Sequence, residues 1–122
     1  MSVRFEGSFI GVIGSAPILS ANVAERLHIN KGELASTLGL SADTLRRRDR
    51  ERAMTTQSRL RDMIEIINRV QPWCGTVDMA FAWYRSQTLP SFGDATAADL
   101  VKDGRAQAVK DYLDRISQGG FA

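Results

Sequence analysis

Apolar residues recur along this chain at spacings of three and four, the mark of helices with one buried face. The clearest run is Leu60, Met63, Ile64, Ile67 and Val70, which predicts a helix over 59–70 with Pro72 just beyond its end. Thr55 or Thr56 is the expected cap of that helix. Upstream, Val23, Ala24 and Leu27 mark a helix capped by Ser20, and Leu34, Ala35 and Leu38 mark a second capped by Asn30. Glu33 stands three residues after Asn30, which completes a capping-box pattern, and Gly39 closes the helix as a C′ glycine. Ser41 caps a third helix that turns Leu45 inward and a run of arginines outward. Downstream, Val77, Ala80, Phe81 and Tyr84 share one face over 75–85, and residues 89–93 carry turn chemistry. Thr96 caps a short helix that stops at Gly104. The last helix, over 105–118, places Val109, Tyr112, Leu113 and Ile116 inward and ends at Gly119 and Gly120. Residues 1–18 read as an irregular arm. The predicted fold class is all-α, with an N-terminal helix-turn-helix subdomain over 19–68 and a small helical subdomain over 69–122.

Ile66 and Ile67 are both apolar and lie on adjacent faces of the 59–70 helix. That is more apolar surface than a short helical hairpin covers, so a homodimer with this helix near the interface is expected. A chain of 122 residues buries a modest share of its surface, which association would increase.

Charge adds a second pattern. The net charge is only +2, but residues 41–62 hold seven arginines against four acids. Residues 94–114 hold five aspartates against Lys102, Arg105 and Lys110. A basic middle and a slightly acidic C-terminal part suit two different partners. The single cysteine, Cys74, excludes an intrachain disulfide, and with His28 as the one histidine no Cys/His zinc site forms within one chain. Cys74 reads as a small apolar residue and His28 as a helix C-terminal charge. Neither clustered carboxylates nor a nucleophile–base pair is present, so an enzyme is not expected, and no cofactor is implied. The apolar stretch over 9–19 is broken by Gly11, Gly14 and Pro17, which predicts a cytoplasmic protein without a membrane span. Its "GVIG" is too short for a phosphate loop.

The stretch "KGELASTLGLSADTLRRRDR", residues 31–50, has helix-turn-helix spacing. Ala35 is small where a second helix must cross the first, and Gly39 tolerates the positive φ of the tight turn. Leu40 and Leu45 anchor the second helix, leaving its outer side open to a DNA major groove. Ser41, Asp43, Thr44, Arg46, Arg47, Arg48 and Arg50 are the candidate DNA-binding residues. The competing reading is a solvated face, with Asp49 and Glu51 pairing with neighbouring arginines. Two half-sites on operator DNA require two copies, which again favours a dimer.

The C-terminal half carries "AFAWYRSQTLPSFGDATAADLV", then Gly104, then "AVKDYLDRISQGGFA". It resembles the toxin-binding domain of the Xre/MbcA/ParS antitoxin family. Trp83, Pro90, Gly93, Thr96, Leu100, Gly104, Val109, Leu113, Ile116 and Gly119 occupy the places of that pattern. Ala97 stands where the family usually has proline, which suggests a less rigid helix start, and Asp94 replaces a glycine or small polar residue. The resemblance implies an antitoxin of a type II module that neutralises a RES-domain toxin attacking NAD. The ParS branch pairs instead with an ADP-ribosylating toxin of related fold. It further implies repression of the module's own promoter by the helix-turn-helix. On this resemblance Leu100 and Val109 dock the toxin, while Arg115, Gly119, Gly120, Phe121 and Ala122 cover its NAD cleft. The alternative is a stand-alone dimeric helix-turn-helix regulator. Among the aromatics, Trp83 reads as core and Trp73 as an interface residue.

Overall fold

The computed structural model describes residues 16–118. Most of the expected arm, including "GVIG", and the tail residues Gly119, Gly120, Phe121 and Ala122 lie outside the described residues. Within them the chain is all-α: α1 Ser20–Leu27, α2 Lys31–Leu38, α3 Ala42–Arg46, α4 Arg48–Glu51, α5 Met54–Cys74, α6 Val77–Ser86, α7 Ala97–Lys102 and α8 Ala106–Ser117. A single 3-10 turn, Pro90–Phe92, interrupts the loop between α6 and α7. No helix among the described residues is long and apolar enough to cross a membrane.

Helix α5 is the centre of the molecule. It packs against α2 and α4 near its start, and against α6, α7 and α8 further along. Having partners on more than one side, it buries adjacent stripes, and Ile66 and Ile67 are both 0% exposed. This corrects the reasoning for a dimer: the surplus apolar surface of α5 is covered by α6 to α8 of the same chain. One core runs from Ile18 to Leu113, and the boundary expected between 68 and 69 falls inside α5. Pro72 lies in the last turn of α5 rather than beyond it, and Gly75, at φ +99°, ends the helix. The N-cap position is Ala53, so neither Thr55 nor Thr56 caps this helix.

The expected single arginine helix is two short ones. Arg47 adopts an extended conformation (φ −94°, ψ 124°) between α3 and α4. Leu45 and Glu51 explain the break. Six residues apart on an unbroken helix, they would point roughly 120° away from each other, yet both are buried here. Glu51 Oε2 accepts a hydrogen bond from Ser20 N at 2.6 Å, so α4 ends by capping the start of α1 from a distance. Ser20 therefore does not cap α1. It is the first helical residue, preceded by Leu19 at the N-cap position without a side-chain bond. Gln57 completes the junction. Its Oε1 accepts from Ile18 N at 2.7 Å, and its Nε2 donates to Ile18 O at 3.0 Å and to Glu51 O at 2.8 Å.

Candidate functional site

The caps and the turn of the α2–α3 hairpin lie where the sequence predicts them, although α3 ends at Arg46. Asn30 accepts from Glu33 N at 2.8 Å to start α2, and Gly39, at φ +73°, closes it with Leu40 N donating to Ala35 O at 2.8 Å. Ala35 is fully buried and Leu45 anchors α3 in the core. The turn is held from behind by Arg59 of α5, whose Nη1 donates to Leu38 O at 2.9 Å and Gly39 O at 3.2 Å. Lys31 Nζ reaches Leu45 O at 3.4 Å.

On the outer side the expected residues divide by role. Ser41 Oγ accepts from Thr44 N at 3.3 Å and shares a hydrogen bond with Thr44 Oγ1 at 2.9 Å, so these two hydroxyls fix the start of α3. Asp43 accepts from Arg47 Nε at 2.9 Å and lies 3.5 Å from Arg50 Nη1. One carboxylate thus orients and partly neutralises two guanidinium groups. Arg46, Arg48 and Arg52 are exposed and form no ion pair among the described residues. Glu51 faces inward and pairs with none of them, contrary to the solvated-face reading.

The second surface is built by the loop after α6 and by α7 and α8. Leu89 N donates to Ala95 O at 2.9 Å and a bridge joins Thr88 to Thr96, closing the loop that carries Phe92. Gly93 turns that loop at φ +66°. Helix α7 begins in a full capping box: Thr96 Oγ1 accepts from Asp99 N at 3.1 Å, and Asp99 Oδ2 accepts from Thr96 N at 3.0 Å. Its start is therefore fixed without the proline that Ala97 replaces. Leu100 and Val109 are 1% and 0% exposed, which corrects their assignment as docking residues. Apolar side chains with no accessible surface shape this part of the molecule from within.

Helix α8 is fastened to α5 by charge as well as by Val109 and Leu113. Lys110 Nζ donates to Asp62 at 2.8 Å and lies 3.1 Å from Glu65, while Arg69 pairs with Asp114 and donates to Lys110 O at 3.4 Å. Burial alone would pull the Lys110 ammonium down, but the hydrogen bonds to Asp62 and Glu65 outweigh it and hold its pKa above the usual value. The fully buried phenol of Tyr84 is pushed up by burial and by the Asp62 charge, and its Oη has no hydrogen-bond partner among the described residues. No signal in the sequence links Lys110 to residues so far upstream.

On the outer face of α8, Arg115 lies 5.9 Å above the Tyr112 ring and Arg105 lies 5.5 Å above Phe92. The two rings meet edge to face with centroids 6.3 Å apart. Tyr112 was expected inward but is half-buried in this row. Of the remaining residues, Trp83 is half-buried against the core and Trp73 is 54% exposed. His28 ends α1 at φ 61° and faces Asp78 at 3.3 Å. Cys74 is half-buried, and burial pushes its thiol pKa up, which disfavours the nucleophilic thiolate.

The described helices thus carry exposed arginines on and around α3 and α4 and an arginine–aromatic row beside α8. Residues 70–119 match the family model of the antitoxin Xre/MbcA/ParS C-terminal toxin-binding domain. The matched segment runs from the last turns of α5 to just past the end of α8, and this likeness supports an antitoxin role with a toxin as partner. No curated protein and no solved structure matches the chain.

Proposed function

We propose that this chain is the antitoxin of a type II module, that it neutralises a RES-domain toxin by covering its NAD-consuming site, and that it represses its own operon. The match of residues 70–119 to the toxin-binding domain carries the reading. The matched segment supplies the toxin-binding surface, and the residues after α8, Gly119 to Ala122, enter the toxin's cleft. Glycine at 119 and 120 lowers the steric barrier to a backbone entering a narrow cleft. The protein acts in the cytoplasm as a non-catalytic regulator.

Repression falls to the α2–α3 hairpin. Arg46, Arg48 and Arg52 have guanidinium groups unengaged by any acid among the described residues, so they are the ones that neutralise DNA phosphates. Arg47, between α3 and α4, and Arg50, on α4, are both oriented by Asp43, and in this reading they contact bases together with Thr44 of α3. Two copies occupy the two half-sites of the operator, meeting through a surface other than Ile66 and Ile67.

Co-expression of the full chain with the product of the adjacent reading frame tests the proposal. Growth rescue together with co-purification supports it, and a toxin that neither binds nor is silenced refutes it. Deleting residues 119–122 should relieve the inhibition while leaving the complex partly intact. The free arginines also fit a stand-alone dimeric regulator, which predicts operator binding with no toxin complex at all.

A further inference from the structure

Arg105, Phe92, Tyr112 and Arg115 form a continuous row in which each guanidinium rests on a ring and the two rings touch. Tyr112 and Arg115, three residues apart, share one face of α8, and Arg105, at the N-cap seven residues before Tyr112, extends the row to about 15 Å. Neither arginine forms an ion pair among the described residues, although Asp111 and Asp114 are close in sequence on the same helix. Asp114 is taken by Arg69, and Asp111 accepts from Gln107. One face of each guanidinium is therefore turned to a ring, while its N–H groups meet no acid among the described residues.

Such a row is pre-organised for recognition. Stacking restricts side chains that otherwise lose considerable rotamer entropy on binding. Arginine and tyrosine are also the residue types that concentrate binding energy at protein interfaces. A planar guanidinium with an open edge takes a carboxylate in two-point fashion. The surroundings separate the possible anions. Residues 94–115 hold five aspartates against four cations, so the row lacks the strongly basic surroundings that a continuous phosphate backbone requires, while each arginine can still meet a single acid.

We infer that this row is the charged contact of the toxin-binding domain, taking a surface of the partner toxin that presents aspartate or glutamate side chains beside apolar ones. The inference rests on the antitoxin reading above and assigns the docking role that buried Leu100 and Val109 do not fill. It moves Arg115, which the resemblance grouped with the tail over the cleft, to a contact outside the cleft, and leaves residues 119–122 as the cleft-entering element proposed above.

The test is calorimetric titration of the full chain with the purified product of the adjacent reading frame. The variants are Arg105→Glu with Arg115→Glu, and Arg105→Gln with Arg115→Gln, their folding checked by circular dichroism. A hot-spot pair predicts a loss of at least about thirtyfold in affinity for the reversed variant and a smaller loss for the neutral one. Tyr112→Phe, which keeps the ring, should bind like the unmodified chain. If the unmodified chain binds the toxin and the charge-reversed variant binds within threefold, roughly the noise of such a comparison, the row is not the contact. An unmodified chain that binds no toxin overturns the antitoxin reading itself, and the row's partner with it. A reversal that abolishes binding of a single-stranded oligonucleotide while sparing the toxin overturns the choice of a protein partner.

Discussion

Replacing Glu51 tests whether the arginine-rich segment is shaped by its own charges or by the core beneath it. Glu51 accepts from Ser20 N at 2.6 Å in a buried setting, and its neighbours Arg48, Arg50 and Arg52 point elsewhere. Glu51→Ala leaves the Ser20 amide without its acceptor, a cost of about 1–3 kcal/mol. It also takes a negative charge from the N-terminus of α1, worth about 0.3–1 kcal/mol. Because these contributions overlap, the expected loss is about 2 kcal/mol, or roughly 6–12 °C in Tm for a domain of this size. Glu51→Gln keeps an oxygen at the same place and should lose about half as much. Asp49→Ala is the control: Asp49 lies on the same short helix but is exposed, so its removal should change stability by less than about 0.5 kcal/mol. Urea unfolding followed by far-UV circular dichroism reads all three. Equal effects for Glu51→Ala and Asp49→Ala would refute the reasoning, because both acids would then be acting as surface charges.

Three further outcomes are expected. Arg48→Ala should weaken operator binding and lower the salt slope by about one unit, whereas Asp43→Asn, which frees Arg47 and Arg50, should alter which sequences are preferred; gel shifts at several salt concentrations separate the two. Lys110→Met should cost about 1–2 kcal/mol through two lost charged hydrogen bonds, discounted for the partial exposure of Asp62 and Glu65. Because the Lys110 pKa is raised on folding, its contribution is fully present below its ordinary value of 10.5 and fades as pH rises through the higher folded value, so chain and variant should converge in stability only in strong alkali. Gly39→Ala should destabilise by about 1–2 kcal/mol in thermal melts, since the position needs positive φ and an added Cβ would lie 2.9 Å from Lys102 Cγ.

What was legible in the sequence was whatever depends on neighbours three or four residues away. Asn30, Gly39, Ser41 and Thr96 end or begin helices where their chemistry predicts, and Leu60 to Val70 show the period of a buried helix. The misreadings came from contacts across the chain. Glu51 beside arginines looks like a surface partner until Ser20 arrives from thirty-one residues away. Ile66 beside Ile67 looks like an interface until α6 to α8 fold over both. Leu100 and Val109 match a binding-domain pattern because they build the domain, and a pattern does not separate residues that shape a surface from those that form it. The arginine–aromatic row needed Phe92 from the loop to meet Tyr112 from α8, a pairing with no local signal.

The central helix limits how this protein can be recombined. Arg59 on α5 holds the α2–α3 turn, while Asp62, Glu65 and Arg69, within the next ten residues, hold α8. Helix α7 touches the same turn through Lys102, whose side chain lies against Gly39. A chimera that exchanged only residues 70–119 for those of a relative would inherit Asp62 and Glu65 from one parent and the partner of Lys110 type from the other. Viable exchange then requires the acids of α5 and the cation of α8 to travel together. A toxin-specificity swap should accordingly take its seam at the Arg52–Ala53 corner before α5, carrying the whole helix and rebuilding the Arg59 contact, rather than at the edge of the matched segment.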